Sequence, residues 1–343
     1  MKRKFAVLLA LILSLSLMTA CGNTKTDTPS EPAPSQEPSQ APAGTAGNEA
    51  ALDYPKKTVE VIVPYAAGGG TDVMCRAVLA ELDFTTMVTN IEGASSSIGT
   101  MEALHRDGDG YTILCHLPES MSCYVMTGTF SEPADEMMIP ICTPVVDPMC
   151  MVIASNNGKF SNLDELKEYA AAHPGEVKWC ATGTKSQNHM ISALHWTAME
   201  LDVTYVPYDS GAKSRAALLG GNADIFVTQI SEVASYVNSG DMIPLCVYDT
   251  SRSSILPDVP TAEELGYEGL VSVSHRGFLA PPDTPQEIID FWADAIKNVC
   301  EDESFQEKMR ELGYDPVYTP AETLKEYQAN IKASFTKAMD LLG

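Results

Sequence analysis

Gly68-Gly69-Gly70-Thr71-Asp72 is the stretch whose residue types most directly imply chemistry. Three successive glycines tolerate positive φ and let another group approach the backbone closely, and Thr71 or Asp72 can N-cap a helix that follows. A helix starting there aims its unpaired amides and the positive end of its dipole at whatever the glycines admit, which favours a carboxylate or a phosphate. The nucleotide fingerprints are not met. Val73 stands where the third glycine of G-x-G-x-x-G would fall, and Thr71-Asp72 stand in place of the Gly-Lys-Ser/Thr of a P-loop. A tight strand-to-helix turn that holds no ligand has the same composition, so the stretch alone leaves both readings open.

Two other small, polar stretches sit where loops would feed helices. Gly93-Ala94-Ser95-Ser96-Ser97-Ile98-Gly99 is one, and Thr182-Gly183-Thr184-Lys185-Ser186-Gln187-Asn188-His189 is the other. Ser186 and His189 lie three apart, but no acid partner is identifiable, and capping or core roles suit such a pair better than a catalytic dyad. There is no G-x-S-x-G, H-E-x-x-H, C-x-x-C or EF-hand loop. The six histidines are scattered, so neither a metal nor a cofactor is expected. Of the nine cysteines, Cys115 and Cys246 lie in apolar runs and read as buried hydrophobes; free thiols are expected outside Cys21.

The elements that must position these loops follow from periodicity. Val59, Val61, Ile62 and Val63 form a strand that Pro64 stops, and Val73, Ala77, Val78 and Leu82 line one face of the helix beyond. A strand around Met87 to Ile91, a helix from Thr100 to about His105 and a buried strand Tyr111 to Cys115 continue a doubly wound α/β pattern. Loops at strand carboxyl ends are where such sheets bind ligands. Further on, Val145 to Ala154 is an apolar run that can cross between lobes, and Ser161-Asn162-Leu163-Asp164 opens a helix to Ala172. Strands are expected at Val177 to Ala181, Asp224 to Thr228 and Ile243 to Tyr248, with helices carrying Met190, Ile191, Leu194, Ala198 and Leu201 inward and spanning Ser231 to Asn238. Val271 to Ala280 returns the chain to the first lobe. Thr284-Pro285-Gln286-Glu287 reads as a capping box with proline at the first helical position, starting a helix to about Cys300, and Gly313 and Pro320 punctuate the closing helices.

The amino terminus has a different character. Lys2, Arg3 and Lys4 precede an apolar segment from Phe5 to Met18, and Thr19-Ala20 lead to Cys21, which resembles a lipoprotein signal with Cys21 lipidated. Residues 22–52, rich in Pro, Ser, Thr and Gln, read as a flexible tether. The remaining length asks for two lobes: 54–150 with 272–343 as lobe 1, and 151–271 as lobe 2. A net charge of −24 makes nucleic acid and anionic lipid surfaces poor partners.

Taken in order, Tyr54-Pro55, Val61 to Asp72, Gly93 to Gly99 and Asp109-Gly110-Tyr111-Thr112 resemble the successive signatures of the Bug family, the extracytoplasmic substrate-binding proteins of tripartite tricarboxylate transporters. Thr204-Tyr205-Val206-Pro207-Tyr208, Leu218 to Asp224, Leu256 to Thr261, Arg276-Gly277-Phe278 and Ala280-Pro281-Pro282 carry the resemblance through to the end of the chain. It implies a two-lobe, type II periplasmic-binding-protein fold of the Venus-flytrap kind, each lobe a mostly parallel sheet flanked by helices. It also implies a monomeric, non-enzymatic receptor outside the cytoplasmic membrane, anchored by lipid and delivering a di- or tricarboxylate to integral membrane transporter subunits.

By the same resemblance, Tyr65, Gly69, Gly70, Thr71 and Asp72, with Ser95 and Ser96, face Thr182, Gly183, Ser186, Gln187 and Thr228 across a cleft. The family often has Asp or Asn where Thr228 and Gln229 stand, and an acidic residue there would receive a ligand amine; its absence argues against an amino-acid ligand. Lys185 offers a second positive contact for a carboxylate, or a solvated loop lysine. Arg276 offers bidentate recognition of a carboxylate, or an interlobe salt bridge. A sensor delivering its ligand state to a membrane histidine kinase, and a secreted α/β hydrolase using Ser186, are the competing classes.

Overall fold

The structure is a computed structural model and describes residues 52–208 and 210–342. The expected signal, Cys21 with its expected lipidation and nearly all of the expected tether therefore lie outside the described residues. From the first strand onward the chain alternates strands and helices: β1 (Val59–Val63), β2 (Thr86–Asn90), β3 (Thr112–His116), β4 (Ile139–Ala154), β5 (Val177–Cys180), β6 (Val203–Tyr205), β7 (Ile225–Gln229), β8 (Met242–Val247) and β9 (Val273–Ala280). Observed bounds differ from the sequence expectation by a few residues at most for each expected strand but one. The exception is β4, which is 16 residues long and starts at Ile139.

That length organises the sheet, whose strand order is β2-β1-β3-β9-β4-β7-β5-β6 with β8 also paired to β4. The outer strands of each half are parallel, as expected: β1 with β2 and β3, and β5 with β6 and β7. The centre is antiparallel, because β4 passes through both halves. Its first part pairs with β9 from Ile139 to Pro148, and its last part pairs with β7 and β8 from Met149 to Ala154. Proline cannot donate to a ladder, and the pairing with β9 shifts register between Pro140 and Cys142 and again between Cys142 and Val145, the interval that contains Pro144. The sequence conceals this part of the strand because prolines break its apolar run.

Each half has its own core. Val61, Val63, Cys75, Val78, Ile113 and Trp292 are buried together on one side, where the helix Gln286–Cys300 turns Ile288, Ile289, Trp292 and Ile296 inward at helical spacing. Thr284 does not cap that helix: its hydroxyl donates to the Pro281 carbonyl at 2.8 Å, and Pro285 occupies the N-cap position, so the expected capping box is not formed. Asn162 does cap the helix Leu163–Ala172, accepting from the Glu165 amide. The other half packs Trp179, Met190, Ile191, Trp196 and Val227. The closing helix Ala321–Leu342 adds Ile331 and Phe335 to this second core, while its Lys332 pairs with Asp135 at 2.7 Å. It thus touches both halves. Among the described residues no helix is long and apolar enough to cross a membrane, and the eight described cysteines are free and buried.

Candidate functional site

A cleft of about 730 Å³ lies between the two halves of the sheet, a size typical of small-molecule sites. Tyr65–Thr71 and Ser120 wall it on one side; Thr182, Ser186–Asn188 and Ser210–Ala212 wall it on the other.

The first wall is built by the glycine loop after β1. Gly68 turns at φ +78°, a conformation open to glycine at little cost, and its amide donates to Asp72 Oδ2 at 2.8 Å. The helix Gly70–Leu79 is capped by Gly69 rather than by Thr71 or Asp72. Asp72 lies buried in the first turn, where its carboxylate accepts from Arg76 Nε at 3.0 Å and Asn90 Nδ2 at 2.9 Å. Burial alone would raise its pKa, but these donors and the Gly68 amide hold it below the usual aspartate range. Its oxygens are committed to shaping the loop. Gly70 is needed for close approach: a Cβ there would stand 3.1 Å from the Tyr314 hydroxyl and 3.2 Å from Arg276 Nη1.

Behind the loop, Arg276 on β9 crosses between the halves. Its Nε and Nη2 donate to Asp147 Oδ2 at 3.0 and 2.8 Å, and Nη1 donates to Thr71 Oγ1 at 2.8 Å. Ser231 donates to the same Asp147 carboxylate through its hydroxyl and its amide. Burial works against the guanidinium charge, yet the adjacent Asp147 carboxylate outweighs it and keeps the arginine pKa above its ordinary value. The salt bridge is formed, but not between the expected lobes: Arg276 and Asp147 both fall within lobe 1, and the second half is reached through the Nη2 bond to Ser231 Oγ at 3.4 Å. Asp147 sits on β4, at the crossing between the halves.

The second wall repeats the architecture of the first. Ser186 caps the helix Gln187–Ala198, accepting from the His189 amide at 3.3 Å and donating to the Gly183 carbonyl at 2.9 Å. Ser210 caps the helix Gly211–Leu219 in the same way. Three helix N-termini, whose first-turn amides have no partner within the helix backbone, therefore open on one cleft. Ser186 and His189 form no dyad. The hydroxyl meets the His189 backbone, whereas Nδ1 of the imidazole faces the Lys185 amide at 3.1 Å and the ring packs against Trp179 and Tyr205. Burial first, and then Lys185, push the His189 pKa down to about 4.

The floor is neutral and polar. Ser120 Oγ donates to Gln187 Oε1 at 2.9 Å, Gln187 Nε2 donates to Ser274 Oγ at 3.3 Å, and Gln229 Nε2 donates to both Asn188 Oδ1 and Ser274 Oγ, at 2.9 and 3.1 Å. These bonds tie the first half, the crossing strand and the second half together beneath the cleft. Such a site can orient an anion through dipoles, and among the described residues no nucleophile with a base beside it lines it.

Comparison with known proteins decides the family. Residues 73–339 match the tripartite tricarboxylate transporter family receptor, TctC. The chain belongs to this family. Among its relatives is Protein BugT of Bordetella pertussis, 29% identical over 293 residues that cover 82% of this chain and 89% of BugT. The solved periplasmic binding protein BugD is 28% identical, with a TM-score of 0.69 over 84% of this chain and 97% of BugD. Rpa4515 of R. palustris, solved with adipate, is 23% identical and shares the fold, with a TM-score of 0.75 over 84% of this chain and 98% of its own. The chain is thus a solute-binding protein of the TctC/Bug type, with the type II periplasmic-binding-protein fold.

In this TctC-type receptor, Tyr65, Gly69, Gly70 and Thr71 come together with Thr182, Ser186, Gln187 and Arg276 on the cleft wall. The other expected site residues are placed elsewhere. Asp72 braces the loop from behind. Ser95 is exposed, and Ser96 is buried against His116 Nε2 at 3.0 Å. The Gly183 amide is taken by the Tyr208 carbonyl at 2.9 Å. Lys185 is exposed in a left-handed turn at φ +60° and does not line the cleft, and Thr228 is buried beside Gln229, which does. Ser120, Asn188, Ser210, Arg215, Gln229 and Glu232 line the cleft without having been expected there. Ser210-Gly211 carried a usable signal, a small polar pair before a helix, similar to the other two junctions. Glu232 and Arg215 carried none, because only the tertiary fold brings them to the cleft.

Proposed function

We propose that this receptor captures a small organic carboxylate of the di- or tricarboxylate type in the cleft and hands it, chemically unchanged, to the membrane subunits of a tripartite tricarboxylate-type transporter. The observation that carries the reading is the convergence of three helix N-termini on one cleft whose floor is neutral and hydrogen-bonding. Amides and dipoles of this kind stabilise a carboxylate without a net side-chain charge. The adipate in Rpa4515, a protein of the same fold, is a ligand of the proposed class.

We further propose that residues 54–150 with 272–343 and residues 151–271 move as two lobes, with β4 and β9 as the connecting strands and the closing helix resting on both. Closure would bring Gly70 and Thr71 toward Ser186 and Gln187 over the ligand. Lipidation of Cys21 would hold the receptor outside the cytoplasmic membrane, as a monomer. The test is thermal unfolding of the full chain against a panel of mono-, di- and tricarboxylates, with inorganic phosphate and sugars as controls. A ligand at 100 times its dissociation constant adds about 2.7 kcal/mol of stability, a shift of several degrees. A shift with a carboxylate supports the reading, and a shift with phosphate or sugar alone overturns it.

A further inference from the structure

A second cavity, of about 540 Å³, opens beyond the carboxyl end of the helix Gly70–Leu79, between residues 81–83, the helix Gln286–Cys300 and the start of the helix Glu303–Glu311. The cleft lies at the amino end of the same helix, whose 10 residues span about 15 Å, and the two cavities share no lining residue. The floor is apolar and made by Leu82, Phe291, Val299 and Phe305. Val299 and Phe305 belong to the core beneath it, whereas Phe291 stays partly exposed. Its ring is held in place from two sides, edge-on against Tyr54 and tilted against Phe84, with centroids 5.2 Å away in each case. An apolar surface is therefore in place before anything binds.

The rim is acidic. Glu81, Asp83, Asp294 and Asp302 border the cavity, and among the described residues the cation bonded to any of them is Lys308, 3.0 Å from Glu81. Four carboxylates against one ammonium leave the rim with three negative charges. Asp83 and Asp294 are exposed, and neither makes a side-chain hydrogen bond or ion pair among the described residues. Asp302 caps the helix Glu303–Glu311 through Oδ1, which accepts from the Ser304 and Phe305 amides, so Oδ2 is left for a further donor. Among the described residues no three acidic, histidine or cysteine side chains converge as metal ligands do. The charge is spread around the apolar floor rather than focused at a point, which suits several separate cationic groups.

Two occupants close at hand do not fit. The chain's own residues 22–51 join the described part near Tyr54, whose ring packs on Phe291, but they hold one basic residue, Lys25, against Asp27, Glu31, Glu37 and Glu49, and no aromatic side chain. A second copy of the chain brings a net charge of −24 to a rim that is already acidic. We infer that this cavity is a docking site for another protein, engaged by a segment that carries an aromatic or long aliphatic side chain flanked by arginine or lysine. The apolar side chain rests on Leu82 and Phe291, and the flanking cations meet Asp83, Asp294 and Asp302. Docking there leaves the cleft open, because the two cavities lie at opposite ends of one helix. The inference is independent of what the cleft binds.

The test is calorimetric titration of the full chain with a short capped peptide of alternating arginine and phenylalanine, with alanine-for-phenylalanine and glutamate-for-arginine versions as controls. The parent peptide should bind about tenfold more tightly than the alanine version, and the glutamate version should not bind. Asp83→Asn combined with Asp294→Asn should weaken the parent peptide by about tenfold. Glu263→Gln combined with Glu268→Gln removes the same charge from exposed positions of the other half and should leave affinity within about twofold. Ala295→Arg, which places a long cation in the cavity, should abolish binding. Unchanged unfolding midpoints establish that the variants are folded. If the alanine version binds as tightly as the parent, or if both double variants weaken it equally, the attraction is that of an acidic chain as a whole and the docking site is refuted. Failure of the parent peptide to bind the wild type refutes it as well.

Discussion

Arg276 Nη1 donates to Thr71 Oγ1 at 2.8 Å while the same guanidinium holds Asp147 through Nε and Nη2. One buried side chain therefore fastens the first ligand loop to the strand that crosses between the sheet halves. Breaking a buried pair by removing one partner leaves the other charge uncompensated and costs about 3–5 kcal/mol. Arg276→Ala is expected to destabilise the chain by that amount in denaturant unfolding, and Arg276→Lys to recover only part of it, because a single ammonium cannot reproduce the two-point contact. A loss under about 1 kcal/mol, the scale of an exposed ion pair, would mean that the pair carries no structural load.

Asp72 gives a pH-dependent counterpart at the same loop. Its donors keep the folded-state pKa below the unfolded one, so its contribution is present above the ordinary aspartate pKa of about 3.9 and is lost as pH falls through the lower folded value. The stability difference between wild type and Asp72→Asn should be constant from pH 5 to 7 and shrink below pH 4. Unfolding midpoints measured across that range provide the check; a difference that grows on acidification would reverse the sign and the argument.

Three buried histidines act at higher pH. Burial lowers His116 to about 4 and His195 to about 3, and burial with Lys185 lowers His189 to about 4. The unfolded chain binds protons at these sites near pH 6.5 while the folded chain does not, so stability is lost as pH falls from about 6.5 toward 4. The thermal midpoint is expected to drop steadily over that interval. His195→Phe, which preserves a ring against Tyr248, should flatten the slope; an unchanged slope would show that His195 does not take part.

What the sequence made legible was local. The glycine loop announced itself because a strand, a glycine run and an apolar helix face are contiguous, and Ser186 announced itself as a polar residue before a helix. Neither Thr71 nor Asp72, the two candidates, is the N-cap, because whether Asp72 caps the helix or reaches back to the Gly68 amide is decided by a turn at φ +78° that sequence pattern does not encode. Of the two positions open to Lys185, the exposed one off the cleft wall is found, because its backbone turns left-handed and the neighbouring Ser186 takes the wall position. The first part of β4, the Arg276–Asp147 pair and the approach of Arg215 to Glu232 are separated by long stretches of chain or hidden among prolines, and only the packed sheet brings them together.

The eight described cysteines should resist modification in the folded state. All are buried, and burial raises the pKa of seven of them, among them Cys123, Cys180, Cys246 and Cys300, to about 12 in each of these four. Mass mapping after exposure to a thiol reagent is expected to find these eight unmodified in the native chain and modified in denaturant, with no change in stability on adding a reductant. Bridges mapped among them would contradict the packing.

Gly70 tests the cleft itself. A Cβ at this position meets the Tyr314 hydroxyl at 3.1 Å and Arg276 Nη1 at 3.2 Å, and neither neighbour is free to give way: Tyr314 donates to the Gly70 carbonyl at 2.8 Å, and Arg276 is pinned by Asp147. Gly70→Ala must therefore push the loop outward, into the space a ligand carboxylate would occupy. Overpacking of this kind costs about 1–3 kcal/mol of stability. Ligand affinity should fall by tenfold or more, equivalent to about 1.4 kcal/mol, for every carboxylate the panel identifies, because the helix amides and not a ligand-specific side chain are displaced. An affinity loss restricted to one ligand would instead place Gly70 beside a specificity pocket, and undiminished binding would mean that the carboxylate does not rest on this helix.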